Sequence, residues 1–445
     1  MVDLRELADK IVAGLKKYNP TNYQVELEEK TAYQLRFANN DITVVKNWNE
    51  VIASIFMEKE KKIIETEIHN VDEKAINSII ENLGKVSTII PKNPLFAGLA
   101  KGPFDYSSYK AIYEKDFEKI FEKGPDIAKR AIDASLEAGA KRSAGALNAT
   151  ASKTYLVTSN DAEVEDFGTS FYMHIRSFVN PEASGMGATA GVLISELNPE
   201  KAGKSSGEKA KLSDPPLVID PGKYDVIFGR PALGNLLNYT MMFASAYSVL
   251  VGYSCFIKKI SQKVASELVT LKDDGRLPNG INSSKSDEEG VPTQETTIIE
   301  NGIFKTYLHN TSTATYFKTE TTGNAGIISP EPWNIILEKG DFTEEELISG
   351  IKKGVYIENA TYTRFQNPVE GTFSSILRDG IFLIENGEIK QGIKGARLSD
   401  SILNILSSID GISKSKEQVL HWWMENPVVT PVVRARNIGI TRSTK

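Results

Sequence analysis

The sequence has few of the residues that build metal and nucleophile sites. It contains one cysteine, Cys255, and four histidines, His69, His174, His309 and His421. A single cysteine excludes an internal disulfide and a multi-cysteine zinc site within the chain. No two histidines lie within six positions, so no helix offers the paired imidazoles of an HExxH zinc site. We interpret Cys255 as a small core residue and the histidines as structural.

Long apolar runs and an excess of positive charge are also lacking. No run approaches the roughly 18 apolar residues of a membrane-spanning helix, and the first residues carry charges where a signal peptide has its apolar segment. The net charge of −6 and the pI near 5.6 provide no general basic surface for nucleic acid. We therefore expect a cytoplasmic protein that binds neither membranes nor nucleic acid directly.

The residues that are present suffice for two hydrophobic cores. The chain has 445 residues, of which 40% are hydrophobic and 25% charged, as in ordinary globular proteins. The polar stretch at 198–216 is compatible with a flexible linker or with an exposed helix. We place the domain boundary at its start and predict an N-terminal domain over residues 1–197 and a C-terminal domain over residues 198–445.

The N-terminal pattern predicts a helix, an antiparallel meander and a second helix, which is an α+β arrangement with helices on one face of the sheet. Later strands alternate polar and apolar residues, so one face of the sheet is expected to be wet and is a candidate docking surface. The predicted strands cover 23–30, 32–40, 41–48, 50–59, 61–69, 143–152, 153–160 and 163–179.

The C-terminal domain is expected to be rich in strands. Asn301-Gly302 and Asn386-Gly387 each stand between apolar strands and predict type I′ hairpins. Because the same turn returns, we predict a sheet folded on itself into a barrel-like domain. The fold class is therefore α+β, with a helix and antiparallel sheet first and a barrel-like domain around a buried central helix second.

That central helix lies within the stretch 230–265. Apolar residues recur there at intervals of three and four, after the short strand-like run 224–228. In a hydrolase, a buried helix in this position would carry metal ligands or a nucleophile. Here the inward positions are asparagine, tyrosine, methionine and phenylalanine.

Two other patterns have chemical and structural interpretations. The segment 185–193, GMGATAGVL, invites a phosphate loop but lacks the third glycine and the acidic residue of a dinucleotide site, so we favour a close backbone approach. The acidic groups Asp273-Asp274 and Asp287-Glu288-Glu289 flank glycines and could serve acid/base chemistry or calcium. Turn formation is the interpretation that we favour.

The second half of the chain resembles the TldD/PmbA family, whose members are also called modulators of DNA gyrase. The resemblance rests on an ordered set of motifs: PGKYDVIFGRPALGNLL, then the stretch from TLKDDGRLPNG to LHNTSTATYF, then TTGNAGI and IENGEIKQGIKGARLSD. It implies a cytoplasmic α+β protein that forms dimers. In bacteria, the family pairs TldD with TldE (PmbA) in a zinc peptidase that acts on unfolded peptides.

The resemblance also assigns three positions on the central helix. TldD-type chains carry HExxxH there and a cysteine ligand near the C-terminus, whereas PmbA/TldE-type chains do not. The corresponding positions of this sequence are Asn238, Tyr239 and Phe243, and the stretch HWWMENPVVTPVV has no cysteine. Phenylalanine cannot bind zinc, and tyrosine is a poor general base at neutral pH. We therefore expect no metal ligand and no catalytic residue in this chain, as in the PmbA/TldE branch.

Three functional hypotheses follow. The first is a non-catalytic subunit that completes the substrate chamber of a TldD-type zinc partner and binds unfolded peptides through a sheet edge. The second is a self-standing homodimeric peptidase that uses scattered histidine and acidic residues with a metal. The third is a non-enzymatic protein that binds peptides or modulates gyrase.

Overall fold

The computed structural model describes residues 3–69 and 71–442. These residues form two β-sheets, and each sheet packs its own hydrophobic cores against helices. The predicted α+β class is confirmed. No helix in the described ranges has the length and hydropathy to cross a membrane.

The first sheet is entirely antiparallel, in the order β3-β2-β1-β4-β5-β6. Its strands are β1 (Asn22–Ala38), β2 (Asp41–Lys59), β3 (Lys62–His69), β4 (Arg142–Thr158), β5 (Glu163–Asn180) and β6 (Ala183–Gly191). Four helices belong to the same part of the chain: α1 (Leu4–Lys16), α2 (Glu73–Ile89), α3 (Lys119–Glu137) and α4 (Pro199–Leu212).

The first sheet has fewer and longer strands than predicted. The segments 23–30 and 32–40 form the single strand β1, 41–48 and 50–59 form β2, and 143–152 and 153–160 form β4. The predicted breaks near Thr31, Asn49 and Ser152 were wrong because these residues pair within continuous ladders and do not turn the chain. The turn at Asn39-Asn40, which the asparagine pair itself predicts, has φ angles of 53° and 66° and closes the β1–β2 hairpin.

The two faces of the first sheet differ, as alternation predicts. On β5 the odd-numbered residues from Thr169 to Ser177 are buried under the helices. The even-numbered residues from Asp166 to Arg176 are only partly covered and lie on the opposite side. We call this second side the polar face.

Helix α4 resolves the two interpretations of the polar stretch in favour of a helix. Asn198 caps its first turn by accepting a hydrogen bond from the Lys201 N–H at 3.0 Å. The segment GMGATAGVL lies in and just after β6, and its glycines allow α4 to lie directly on the strand. A Cβ at Gly187 would stand 2.0 Å from the carbonyl oxygen of Ala202. The close-approach interpretation therefore fits the structure.

The second sheet is mixed and has 13 strands among the described residues. These are β7 (Gly222–Phe228), β8 (Leu271–Asp274), β9 (Glu295–Glu300), β10 (Ile303–Phe304), β11 (Ile335–Leu337), β12 (Lys353–Ile357), β13 (Ala360–Asn367), β14 (Thr372–Leu377), β15 (Ile381–Glu385), β16 (Glu388–Gly392), β17 (Ala396–Ser401), β18 (Ile409–Val419) and β19 (Val428–Arg442). Its helices are α5 (Arg230–Ala244), α6 (Ala246–Leu250), α7 (Thr311–Phe317), α8 (Glu344–Ser349) and α9 (Ile402–Ser407).

The second sheet is branched and open, which corrects the barrel-like expectation. Strand β19 pairs in parallel with β11 and antiparallel with β7, β17 and β18. The pairing among residues 3–69 and 71–442 contains no closed ring of strands. The repeated hairpins lie in different arms of the sheet, β9–β10 and β15–β16, so they do not join edge to edge.

Partly buried ion pairs connect the two sheets. Arg176 on β5 bonds to Asp379 at 2.6 Å, and Lys209 on α4 bonds to Glu358 at 2.6 Å. Helix α4 lies after the proposed boundary at 197/198 but packs on α3 and β6 of the first sheet. The boundary itself stays a prediction, and the outermost residues of its two ranges, 1–2 and 443–445, lie outside the described residues.

Candidate functional site

Helix α5 lies at the centre of the second sheet. It follows β7, which pairs with β12 on one side and β19 on the other. Eleven of its 15 residues are buried, so it is covered on almost every side. The helix ends at Ala244, well before the end of the stretch 230–265, because Ser245 has extended backbone angles and its hydroxyl donates to the carbonyl of Pro330.

Asn238 connects this helix to the segment between β18 and β19. Its Nδ2 donates to the carbonyl oxygen of Asn426 at 3.1 Å, and its Oδ1 accepts from the N–H of the same residue at 2.9 Å. Nδ2 also donates to the carbonyl of Gly234, one turn earlier on the helix. The side chain of Asn238 thus substitutes for a missing β-strand partner of Asn426.

Tyr239 and Phe243 face the edge of the second sheet. The ring of Phe365 on β13 contacts both, with centroid distances of 5.2 Å to Tyr239 and 4.8 Å to Phe243, each near perpendicular. Phe243 also packs against the exposed Tyr253. The three positions assigned by the resemblance therefore lie together, opposite β13 and the segment that contains Asn426.

The residues at these positions do not fit a zinc ion. Phe243 has no donor atom, and both polar atoms of the Asn238 side chain are engaged with backbone groups. Burial raises the pKa of Tyr239, and the charge of Glu425 adds to the rise, so the phenol stays protonated at neutral pH. Nowhere in the described ranges do three or more histidine, cysteine, aspartate or glutamate side chains form a group able to hold a metal.

Removing the Asn238 amide tests this connection. Asn238→Leu is expected to lower the free energy of unfolding by about 1–2 kcal/mol, because the backbone N–H and C=O of Asn426 lose their partners. Amide hydrogen exchange across residues 420–426 should rise, as measured by mass spectrometry. Asn77→Leu, at an exposed position of α2, is the matched control. Equal exchange in both variants would show that the Asn238 amide does not hold the segment.

The acidic group at 287–289 forms a turn, as favoured above, whereas Asp273 and Asp274 end strand β8. Asp287 accepts hydrogen bonds from the N–H groups of Glu289, Val291 and Ala325 at 2.9–3.0 Å. Asp273 accepts from the Trp333 N–H at 2.7 Å and from the Asn324 amide at 2.6 Å. Burial raises the pKa of Asp273 to about 7. These carboxylates are used to shape the loops.

The structure brings two of the four histidines towards each other. His174 on the polar face stacks on Trp422, with a centroid distance of 5.6 Å and an interplanar angle of 5°. His421 precedes that tryptophan, and burial lowers the pKa of both imidazoles to about 4, with a further contribution at His421 from the charge of His174. His69 pairs with Glu67 and Glu50 at the surface, and His309 is buried beside Thr313.

Sequence reasoning found the helix face but missed its neighbours. Phe365, Asn426 and Trp422 come from segments far along the chain, so no local spacing joins them to α5. The one local signal was the aromatic pair that follows His421, since exposed clusters of large apolar side chains often mark interaction sites.

Residues 221–442 match a model described as the PmbA/TldA metallopeptidase C-terminal domain. The chain is 37% identical to a metalloprotease from Methanocaldococcus jannaschii over 202 residues. This match covers 44% of each chain. Over 203 residues it is 28% identical to a zinc metalloprotease TldD homolog from Saccharolobus solfataricus, 43% of this chain and 44% of the other. The match spans about half the length of these relatives, or less.

Solved structures resemble the chain over almost its full length. A proposed modulator of a DNA gyrase from Thermotoga maritima superimposes with a TM-score of 0.82 at 25% identity, covering 98% of this chain and 100% of that one. TldE from Thermococcus kodakarensis gives a TM-score of 0.84 at 22% identity, with coverage of 98% and 99%. At 22% identity, the second likeness shows a shared fold alone.

Proposed function

Since this chain belongs to the PmbA/TldD family through its domain at residues 221–442, we propose that it is a TldE-type subunit of a zinc metallopeptidase complex. In this proposal it shapes the chamber for unfolded or small peptides, while a TldD-type partner supplies the zinc. The observation that carries the proposal is the face of α5, where Asn238, Tyr239 and Phe243 provide neither zinc ligands nor a general base. Zinc-dependent peptide hydrolysis needs both.

An edge strand beside α5 supports a role in peptide binding. Strand β13 pairs with β14 on one side, and no other strand within the described ranges pairs with it. It passes the helix through Phe365, and the side chains of Tyr362, Arg364 and Gln366 are exposed. An extended peptide can add to such an edge through main-chain hydrogen bonds, which tolerate varied sequences.

The proposal is tested by mixing this chain with a TldD-type zinc metallopeptidase from the same organism. The two are expected to co-elute as a complex, and to degrade casein at least about tenfold faster than either chain alone. A chelator should abolish this cleavage, and this chain alone should cleave nothing. Failure to form a complex or to accelerate cleavage would contradict the proposal.

Metal analysis separates the alternatives. Stoichiometric zinc in the purified chain, with chelator-sensitive cleavage in the absence of a partner, would favour the homodimeric peptidase. Retention of gyrase subunits instead of the metallopeptidase by the immobilised chain would favour the gyrase-modulating alternative. As a control for surface effects, the Asn77→Leu variant should behave as the unmodified chain in all three measurements.

A further inference from the structure

A polar cleft lies between the polar face of the first sheet and the loop 281–284 of the second. Its volume is about 270 Å³. Hydroxyl and amide side chains dominate its lining, one wall is an indole ring, and no lysine, arginine or histidine of the described residues lines it. Its lining includes Thr150, Ser152, Thr154, Asp166, Gly168 and Trp333.

Strand β4 forms the floor of the cleft, and the spacing of its side chains matches that of an extended peptide. Thr150, Ser152 and Thr154 are alternate residues of β4, so their side chains leave the same face at intervals of about 6.5–7 Å. An extended chain laid along β4 repeats its own side chains and carbonyl groups at the same interval. The hydroxyls can both donate and accept, as pairing with main-chain amides requires.

A glycine keeps the floor open. Gly168 stands directly opposite Ser152 in the β4–β5 ladder. A Cβ at this position would meet only the Ser152 Oγ, at 3.9 Å, so the space above it belongs to the cleft. The backbone angles of Gly168 are ones that any residue can adopt. The effect of glycine at this position is therefore to leave the space above it empty.

The charge of the cleft selects against acidic ligands. Asp166 accepts from the N–H groups of Phe167 and Lys285, each at 2.8 Å, and from the hydroxyl of Ser284 at 3.2 Å. Within the described ranges it has no ion pair with a basic side chain. A glutamate or aspartate brought into the cleft would therefore meet the negative charge of Asp166 at close range, which its hydrogen bonds and the nearby Lys285 charge offset only in part.

The cleft continues towards the helix face described above. Ser170, Tyr172 and His174 follow each other on the polar face of β5. His174 stacks on Trp422, which lies 4.8 Å from Trp423, and that ring lies 4.6 Å from the exposed Tyr362 of the edge strand β13. A series of contacting rings thus links the polar face of β5 to the edge strand beside α5.

We infer that the polar cleft is a peptide subsite that holds an extended, non-acidic polar segment along β4. The inference rests on the proposed function, because it specifies which peptides the chamber prefers. Main-chain amides pair with the hydroxyls of β4, and small polar side chains fill the space above Gly168. Peptides rich in serine, asparagine and glycine bind, and those with acidic residues are rejected.

The test uses the full chain without any partner, so that it can fail independently of the proposed complex. Fluorescence anisotropy measures two labelled peptides of about ten residues, one alternating serine with asparagine and one alternating glutamate with asparagine. We expect the serine peptide to bind at least about tenfold more tightly. Equal binding of the two peptides, or no binding of the serine peptide, would overturn the inference.

Gly168→Phe fills the cleft and should weaken binding of the serine peptide at least about tenfold. Gly222→Phe is the matched control, because a Cβ at this exposed strand position meets only a Tyr224 ring atom at 3.7 Å. Thr150→Val removes one hydroxyl at nearly constant volume and provides a second, milder test, which should also weaken binding. Unchanged binding in folded Gly168→Phe or in Thr150→Val would overturn the inference, whether or not a metallopeptidase partner is found.

Discussion

Gly187→Val is expected to lower the free energy of unfolding by about 3 kcal/mol or more, enough to remove much of the stability of an ordinary domain. Gly187 lies on β6 where α4 crosses it, and a Cβ there would overlap the carbonyl oxygen of Ala202 at 2.0 Å. The obstacle is helix backbone, which cannot rotate away as a side chain would. Urea unfolding followed by circular dichroism measures the change.

The matched control for this prediction is Gly168→Val on the neighbouring strand β5. Both positions are strand glycines of one sheet, but a Cβ added at Gly168 would point into the polar cleft. The control should stay within about 0.5 kcal/mol of the unmodified chain. If both variants lose equal stability, then the general effect of replacing glycine explains the loss, and the contact with α4 does not.

Glu26→Gln is expected to raise the free energy of unfolding at pH 8 by about 2 kcal/mol and to change it little below pH 5. Glu26 lies on the polar face of β1, where burial, and then the charges of Glu288 and Glu28, raise its pKa to about 8. The amide reproduces the protonated acid at every pH. The expected gain is smaller than the full equivalent of the pKa shift because the side chain is partly exposed, so solvent screens its charge.

The sign of the pH dependence follows from proton counts. In the unfolded chain Glu26 loses its proton near its ordinary pKa of 4.5, whereas in the folded chain its pKa is about 8 and it keeps the proton to about that pH. Between these values the folded state binds more protons, so stability falls as the pH rises. Urea titrations from pH 5 to pH 8.5 should show this slope, flattened in Glu26→Gln. Glu137→Gln, at an exposed site, should keep the slope of the unmodified chain. An equally flattened slope in this control would show that Glu26 is not the source of the pH dependence.

Local patterns in the sequence predicted local structure well. The two asparagine-glycine turns adopt positive φ angles, 47° and 81° at Asn301-Gly302 and 51° and 79° at Asn386-Gly387, as type I′ turns require. The alternation along β5 placed the polar face correctly, because strand periodicity needs no knowledge of the partner strand. The arms of the second sheet join through β19, and no local pattern in the sequence reveals this pairing. The prediction of a barrel-like domain was therefore wrong.

The candidate site likewise has a part that the sequence predicted and a part that depends on long-range contacts. The resemblance placed Asn238, Tyr239 and Phe243 on α5, where Tyr239 and Phe243, four residues apart, share one side of the helix. Their roles as zinc-free counterparts of a partner's ligands stay a prediction. Their contacts with Phe365 and Asn426 arise from long-range pairing, and the polar cleft exists only because loop 281–284 crosses the first sheet.

The branched pairing of β19 has a consequence for how the protein is made. Strands β7, β11, β17 and β18 all precede β19 in the chain, and each needs it as a neighbour. During synthesis these edges therefore stay unsatisfied until the ribosome has released residues 428–442, and such edges invite pairing with other nascent chains. The first sheet, whose six strands are complete by Gly191, can fold long before that moment.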